Sequence, residues 1–134
     1  MRSTEVCDAF CEHMRDDLEA RFDKPFAELE RHPTARLGRD SDGYRITPHP
    51  DSDRRVYTAQ VYLPEDDSQE DVGTSIYRRE PDGSFTLVRR LPFRPNTAFC
   101  FVPTENSFHG VEPISLTKPR NNLHISCFLA DPGY

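Results

Sequence analysis

From Thr4 to Lys24 the apolar side chains recur at helical spacing: Cys7, Cys11, Met14, Leu18 and Phe22 follow one another at steps of four, three, four and four. That spacing stacks them on one face, so the stretch reads as a single amphipathic helix over 4–24, with Thr4 as its N-cap. Pro25 ends it, and Phe26 to Arg31 reads as one more short turn before the break at Pro33. Beyond residue 35 the period changes, with short β-prone runs set between Pro, Gly and Asp. Strands are expected at 35–39, 44–47, 54–63, 74–79, 84–89, 98–102 and 122–129. The clearest hairpin turn is Glu80-Pro81-Asp82-Gly83, because Asp-Gly tolerates positive φ between two strands.

Two of these strands are two-faced. In 54–63, Val56, Thr58, Gln60 and Tyr62 share one side, and Tyr57, Ala59, Val61 and Leu63 the other. In the last strand Asn122, His124 and Ser126 share a side with Arg120, against Leu123, Ile125, Cys127 and Leu129. The polar faces either meet water or point into a wet pocket between two sheets, with the N-terminal helix covering an apolar outer face.

At 134 residues the chain fits one domain. Its 17 Lys and Arg against 23 Asp and Glu give a net charge of −6, the wrong sign for a general nucleic-acid binder. The longest apolar run, Ala98 to Val102, is five residues, far short of the roughly 20 that span a bilayer, so no membrane partner is expected. Glu5, Asp8, Glu12, Arg15, Asp16 and Asp17 leave no apolar stretch for a signal peptide, and a cytoplasmic location is the expectation. The four cysteines form no Cys-x-x-Cys pair and read as free thiols. Cys7, Cys11 and His13 could mark a metal corner, but with no further soft ligands at matching spacing, core packing is preferred. His13 and His32 are assigned to the surface. The acidic run Glu65 to Asp71 reads as a solvated loop, or else as a lid that favours a cationic substrate.

Candidate chemistry begins at His49-Pro50-Asp51, joined 58 positions after the Asp by His109 in Ser107-Phe108-His109-Gly110-Val111. In extended chain, residues two apart point the same way, so His49 and Asp51 can grip one ion while a distant strand delivers a third ligand. Two imidazoles and one carboxylate suit a divalent iron with open coordination positions. Arg120 lies 11 residues after His109 and opens the last strand, where its planar fork suits a carboxylate. A solvent-exposed ion pair is the plain alternative for that arginine.

With these residues in place, the chain resembles the iron(II)- and 2-oxoglutarate-dependent dioxygenases of the prolyl-4-hydroxylase-like branch. The matching stretch runs from about Gly43 to Phe128, through Gly43 to Asp51, Tyr57 to Pro64, Gly73-Thr74, Pro95 to Phe99, Phe108 to Val111 and Arg120 to Leu123. The resemblance implies an α+β, mainly β fold, a double-stranded β-helix (jelly roll) with an N-terminal helix packed on its outer face. It implies one domain over 1–134, helical over 1–33 and jelly roll over 35–129. By resemblance His49, Asp51 and His109 hold Fe(II), Arg120 takes the distal carboxylate of 2-oxoglutarate, and Tyr62 and Thr58 line the same slot. Asn122 stands where some relatives carry a Ser, and Tyr44 either reaches the slot or packs. His124 shares the parity of Arg120 and is expected to be structural. The implied activity is hydroxylation of a small-molecule or peptide substrate with O2 as the other co-substrate, releasing succinate and CO2. A cupin-like metal protein without 2-oxoglutarate, or a non-catalytic binding module, are the competing classes.

Overall fold

A computed structural model of the chain describes residues 4–130. Its N-terminal part forms two short helices, α1 (Thr4–His13) and α2 (Arg15–Phe22), where the spacing predicts one. Met14 interrupts them with φ −108° and ψ 21°, its amide shared between the carbonyls of Phe10 and Cys11 at 3.1 and 3.2 Å. The interruption keeps the stripe intact, since Cys7, Cys11, Met14 and Leu18 are all buried. Asp23 ends α2 in the left-handed conformation, at φ 49° and ψ 42°, ahead of Pro25, whose ring disfavours helix at Lys24. The expected short turn follows as a 3-10 turn over Phe26–Glu28. The N-cap reading of Thr4 falls on a side chain outside the described ones.

Among the described residues eight strands follow, one more than the periodicity predicts: β1 (His32–Asp40), β2 (Ile46–His49), β3 (Arg55–Tyr62), β4 (Ser75–Arg79), β5 (Phe85–Arg90), β6 (Ala98–Phe101), β7 (His109–Val111) and β8 (Arg120–Phe128). The added strand, β7, is three residues long, too short for any alternation to register, and His109 opens it. They build two antiparallel four-stranded sheets, ordered β1-β8-β3-β6 and β2-β7-β4-β5. The chain is thus mainly β with two short helices. Pro33 lies inside β1, where a break is predicted; β1 is an edge strand, the position at which a sheet tolerates a missing N–H.

The two-faced strands divide as the parity predicts except at the start of β3, where an irregularity in the pairing between Arg55 and Tyr57 puts Val56, expected on the polar face, into the apolar core beside Tyr57 and turns Arg55 to the cavity. Tyr57 and Ala59 of β3 and Cys127 of β8 join the helical stripe, Phe26 and Leu29 in one buried core. This apolar contact lays the helices on the outer side of the first sheet. Thr58 and Gln60 of β3, with Arg120, His124 and Ser126 of β8, point the other way and line a cavity of about 640 Å³ whose walls come from both sheets. A second apolar group, Tyr62, Val72 and Phe93 with Leu91, Phe99, Ile114 and Leu116, closes the far end. Among the described residues no helix is long and apolar enough to cross a membrane.

Candidate metal centre

His49 ends β2 and His109 begins β7, and the two face each other directly in the antiparallel ladder. Their ring centroids are 4.6 Å apart. Gly110 makes this closeness possible, for a Cβ there would sit 2.5 Å from the Ile46 carbonyl oxygen. Asp51, two residues past His49, brings its Oδ1 to 4.0 Å from His109 Nε2. One ligand atom from each of His49, Asp51 and His109 lies within 4.8 Å of the others, close enough to share one ion.

Both imidazoles are set by the same local device. His49 Nδ1 bonds the Thr47 carbonyl at 2.9 Å, and His109 Nδ1 bonds the Ser107 carbonyl at 3.0 Å. A carbonyl can only accept, so each Nδ1 carries the proton and each Nε2 keeps a lone pair for a metal. Burial holds His109 below the ordinary imidazole range, against the opposing pull of the Ser107 carbonyl and Asp51, which favours the neutral, ligating form. The Asp51 side chain is 7% exposed. Its Oδ2 accepts from Thr58 Oγ1 at 2.5 Å and pairs with Arg55 Nη1 at 3.0 Å, so Oδ1 is the oxygen left for an ion. Two neutral nitrogen donors and one anionic oxygen fit a divalent first-row cation with positions left open.

Arg120 lies on the floor of the same cavity, with a side chain 1% exposed. Its Nε donates to the Val72 carbonyl at 2.7 Å, Nη1 to Asp40 Oδ2 at 2.5 Å and Nη2 to Thr74 Oγ1 at 3.3 Å. The guanidinium stands over the rings of Phe93 and Tyr62, 5.3 and 5.6 Å from their centroids. The ion pair is therefore buried, unlike the exposed bridge that was the plain alternative. A polar row continues from it: Thr74 Oγ1 donates to Gln60 Oε1 at 3.0 Å, and Gln60 Nε2 contacts His124 Nε2 at 3.2 Å. His124 has a bonded partner here, and burial lowers its pKa.

The structure brings His49, Asp51, His109, Thr58 and Arg120 to one cavity, while Tyr62 and Asn122 are not among its walls. The Thr58 hydroxyl is engaged by Asp51. Tyr62 stands behind Arg120, its hydroxyl accepting from the Thr74 amide at 2.9 Å. Asn122 is fully buried, with Nδ2 on Asp40 Oδ2 at 3.3 Å. Tyr44, 36% exposed, is part of the cavity wall, whereas none of residues 65–71 is. That acidic run is tied down instead: Lys118 pairs with Asp66 and Glu65, Arg94 with Glu70, and the Gln69 carboxamide bonds the main chain at Thr117 and Lys118. All four cysteines are free, and Cys7, Cys11 and Cys127 are core residues; His13 is exposed and His32 half-buried. Sequence reasoning missed Asp40, Arg55 and the cavity-facing role of Thr74. Strand parity pointed to Gln60, but Asp40 is across a ladder whose register no local pattern reveals.

No family model matches the chain, and no curated protein matches it. Among solved structures it is similar to a prolyl-4-hydroxylase of Pseudomonas putida, with a TM-score of 0.52 and 21% identity over 92% of this chain. The match covers 65% of that hydroxylase, so this chain spans about two-thirds of its length. At that identity the likeness is one of fold. A looser match, with a TM-score of 0.38 and 9% identity over 75% of this chain and 87% of the other, is to a protein of disulfide-linked Bacillus endospore appendages.

Proposed function

We propose that the protein is an Fe(II)- and 2-oxoglutarate-dependent oxygenase with a jelly-roll fold, hydroxylating a small-molecule or peptide substrate. The observation that carries this reading is the convergence of His49, Asp51 and His109 within 4.8 Å, with both Nδ1 atoms held by backbone carbonyls so that both Nε2 atoms are free to ligate. The likeness of fold to a prolyl-4-hydroxylase supports it. When bound, the iron and its oxoacid co-substrate supply the oxidising chemistry.

The chain's own residues do the rest. His49, Asp51 and His109 would hold the ion, and the cavity that all three line has room for small ligands beside it. Thr58 and Arg55 fix the Asp51 carboxylate so that a single oxygen faces the ion. Arg120, braced by Val72, Thr74 and the aromatic pair Tyr62 and Phe93, offers positive charge deep in the cavity for a carboxylate. Tyr62 and Asn122 act behind it as supports. Phe99, Ile46 and Val111 contribute apolar wall, which limits water around the bound ligands.

The test is succinate release from 2-oxoglutarate by protein loaded with Fe(II) in air, with Asp51→Asn as the control. Release by the wild type and its loss in the variant is the expected result. A wild type that binds neither Fe(II) nor 2-oxoglutarate overturns the reading. One observation favours a second reading, a metal protein without 2-oxoglutarate chemistry: Arg120 already has a carboxylate partner in Asp40.

A further inference from the structure

Arg120 reaches the cavity already paired. Asp40, the last residue of β1, is the cross-strand partner of Arg120 in the β1–β8 ladder. Its Oδ2 accepts from Arg120 Nη1 at 2.5 Å and from Asn122 Nδ2 at 3.3 Å. The Asp40 side chain is 13% exposed and that of Arg120 1%, and both residues line the cavity. Arg120 Nε and Nη2 are engaged by the Val72 carbonyl and the Thr74 hydroxyl. Of the five N–H donors of a guanidinium, that leaves one on each terminal nitrogen, with the Asp40 carboxylate beside the Nη1 edge.

An anionic ligand entering this cavity therefore meets an arginine whose charge is already balanced, next to a fixed negative charge. Away from bulk water the repulsion between two carboxylates on one guanidinium is poorly screened, so the second gains less than the first. We propose that Asp40 competes internally for Arg120 and sets the specificity of the site: it weakens binding of a ligand carboxylate and confines the cavity to acids that have a second anchor at the metal. The proposal rests on reading the cavity as an oxoacid site. Asp40 is then a specificity-determining residue, and loss of its charge changes affinity for the distal carboxylate without changing affinity for an oxoacid that lacks one.

The experiment is calorimetric titration of 2-oxoglutarate, and of 2-oxobutyrate, which lacks the distal carboxylate, into Zn(II)-loaded wild type and Asp40→Asn. Asparagine keeps an oxygen that accepts from Arg120 and Asn122 while losing the charge. The variant is expected to bind 2-oxoglutarate about tenfold more tightly, the scale of one charge-assisted hydrogen bond, with 2-oxobutyrate unchanged. Should Asp40→Asn fold poorly, Asp40→Ser, which retains a hydroxyl acceptor without the charge, must move the affinity the same way. Equal or weaker 2-oxoglutarate binding in the uncharged variants overturns the proposal, and if the wild type still binds 2-oxoglutarate the oxygenase reading survives. Zn(II) binding with no 2-oxoglutarate binding in any form sinks the oxoacid reading and this proposal together.

Discussion

Replacing Thr58 by Val separates two roles for one side chain. Valine has nearly the same shape, so β3 keeps its packing between β6 and β8, and only the hydroxyl is lost. That hydroxyl donates to Asp51 Oδ2 at 2.5 Å and accepts from Arg55 Nη1 at 3.1 Å. Thr58 is 5% exposed, which leaves water little access to take its place. A hydrogen bond to a charged group contributes about 1.5–3 kcal/mol. Arg55 Nη1 still holds the same oxygen at 3.0 Å, so part of the orientation of Asp51 survives. The expected loss in metal affinity is therefore about 10- to 100-fold, the usual range for a partner that orients a ligand. The assay is competition of Zn(II) between the protein and a chromophoric chelator, run beside 2-oxoglutarate titrations at saturating metal. Lower metal affinity with unchanged 2-oxoglutarate affinity is the expected pattern. Unchanged metal affinity with weakened 2-oxoglutarate binding refutes the reasoning, and returns Thr58 to the co-substrate slot that the family resemblance implies.

The neighbouring residues make further predictions. Gly110→Ala puts a Cβ 2.5 Å from the Ile46 carbonyl oxygen, which must push β2 from β7 and part the two histidines; metal affinity and thermal stability should fall together, and wild-type values for both in the variant refute the close-contact argument. Arg120→Lys keeps the charge but cannot reach Val72, Thr74 and Asp40 at once, so buried acceptors go unmet at about 1–3 kcal/mol each; urea unfolding should show a loss of stability alongside weaker 2-oxoglutarate binding. His124 has its pKa lowered chiefly by burial, so the unfolded chain takes up the proton first. Its stabilising share is present above about pH 6.5 and lost as pH falls through the lower folded value. His124→Asn should flatten the acid limb of a stability-versus-pH curve, with His109 keeping its own part, and an unchanged limb counts against the burial argument.

Strand parity carried far because an inward or outward direction is set by the backbone within one strand. Thr58 and Gln60, and likewise Arg120, His124 and Ser126, faced the cavity as alternation required, and Tyr57, Ala59 and Cys127 faced the helices. The helical stripe was legible for the same reason and survived the interruption at Met14. The His49 and Asp51 pair was legible because two-residue spacing aligns neighbours. The short strand β7 was not, since three residues hold no period, and neither was the edge placement that lets Pro33 lie within β1.

The chain alone thus determined which side most residues of the longer elements present, Val56 beside the irregularity in β3 excepted, and which donor types a metal site would have. Only the tertiary structure decided who meets whom: His109 opposite His49, Asp40 opposite Arg120, and the Thr58 hydroxyl on Asp51. The physical reason is range. Side-chain direction follows from local backbone geometry, whereas a partner across a ladder depends on the register between strands whose paired residues, as in β1 and β8, are 80 or more positions apart, settled by the packing of the whole sheet.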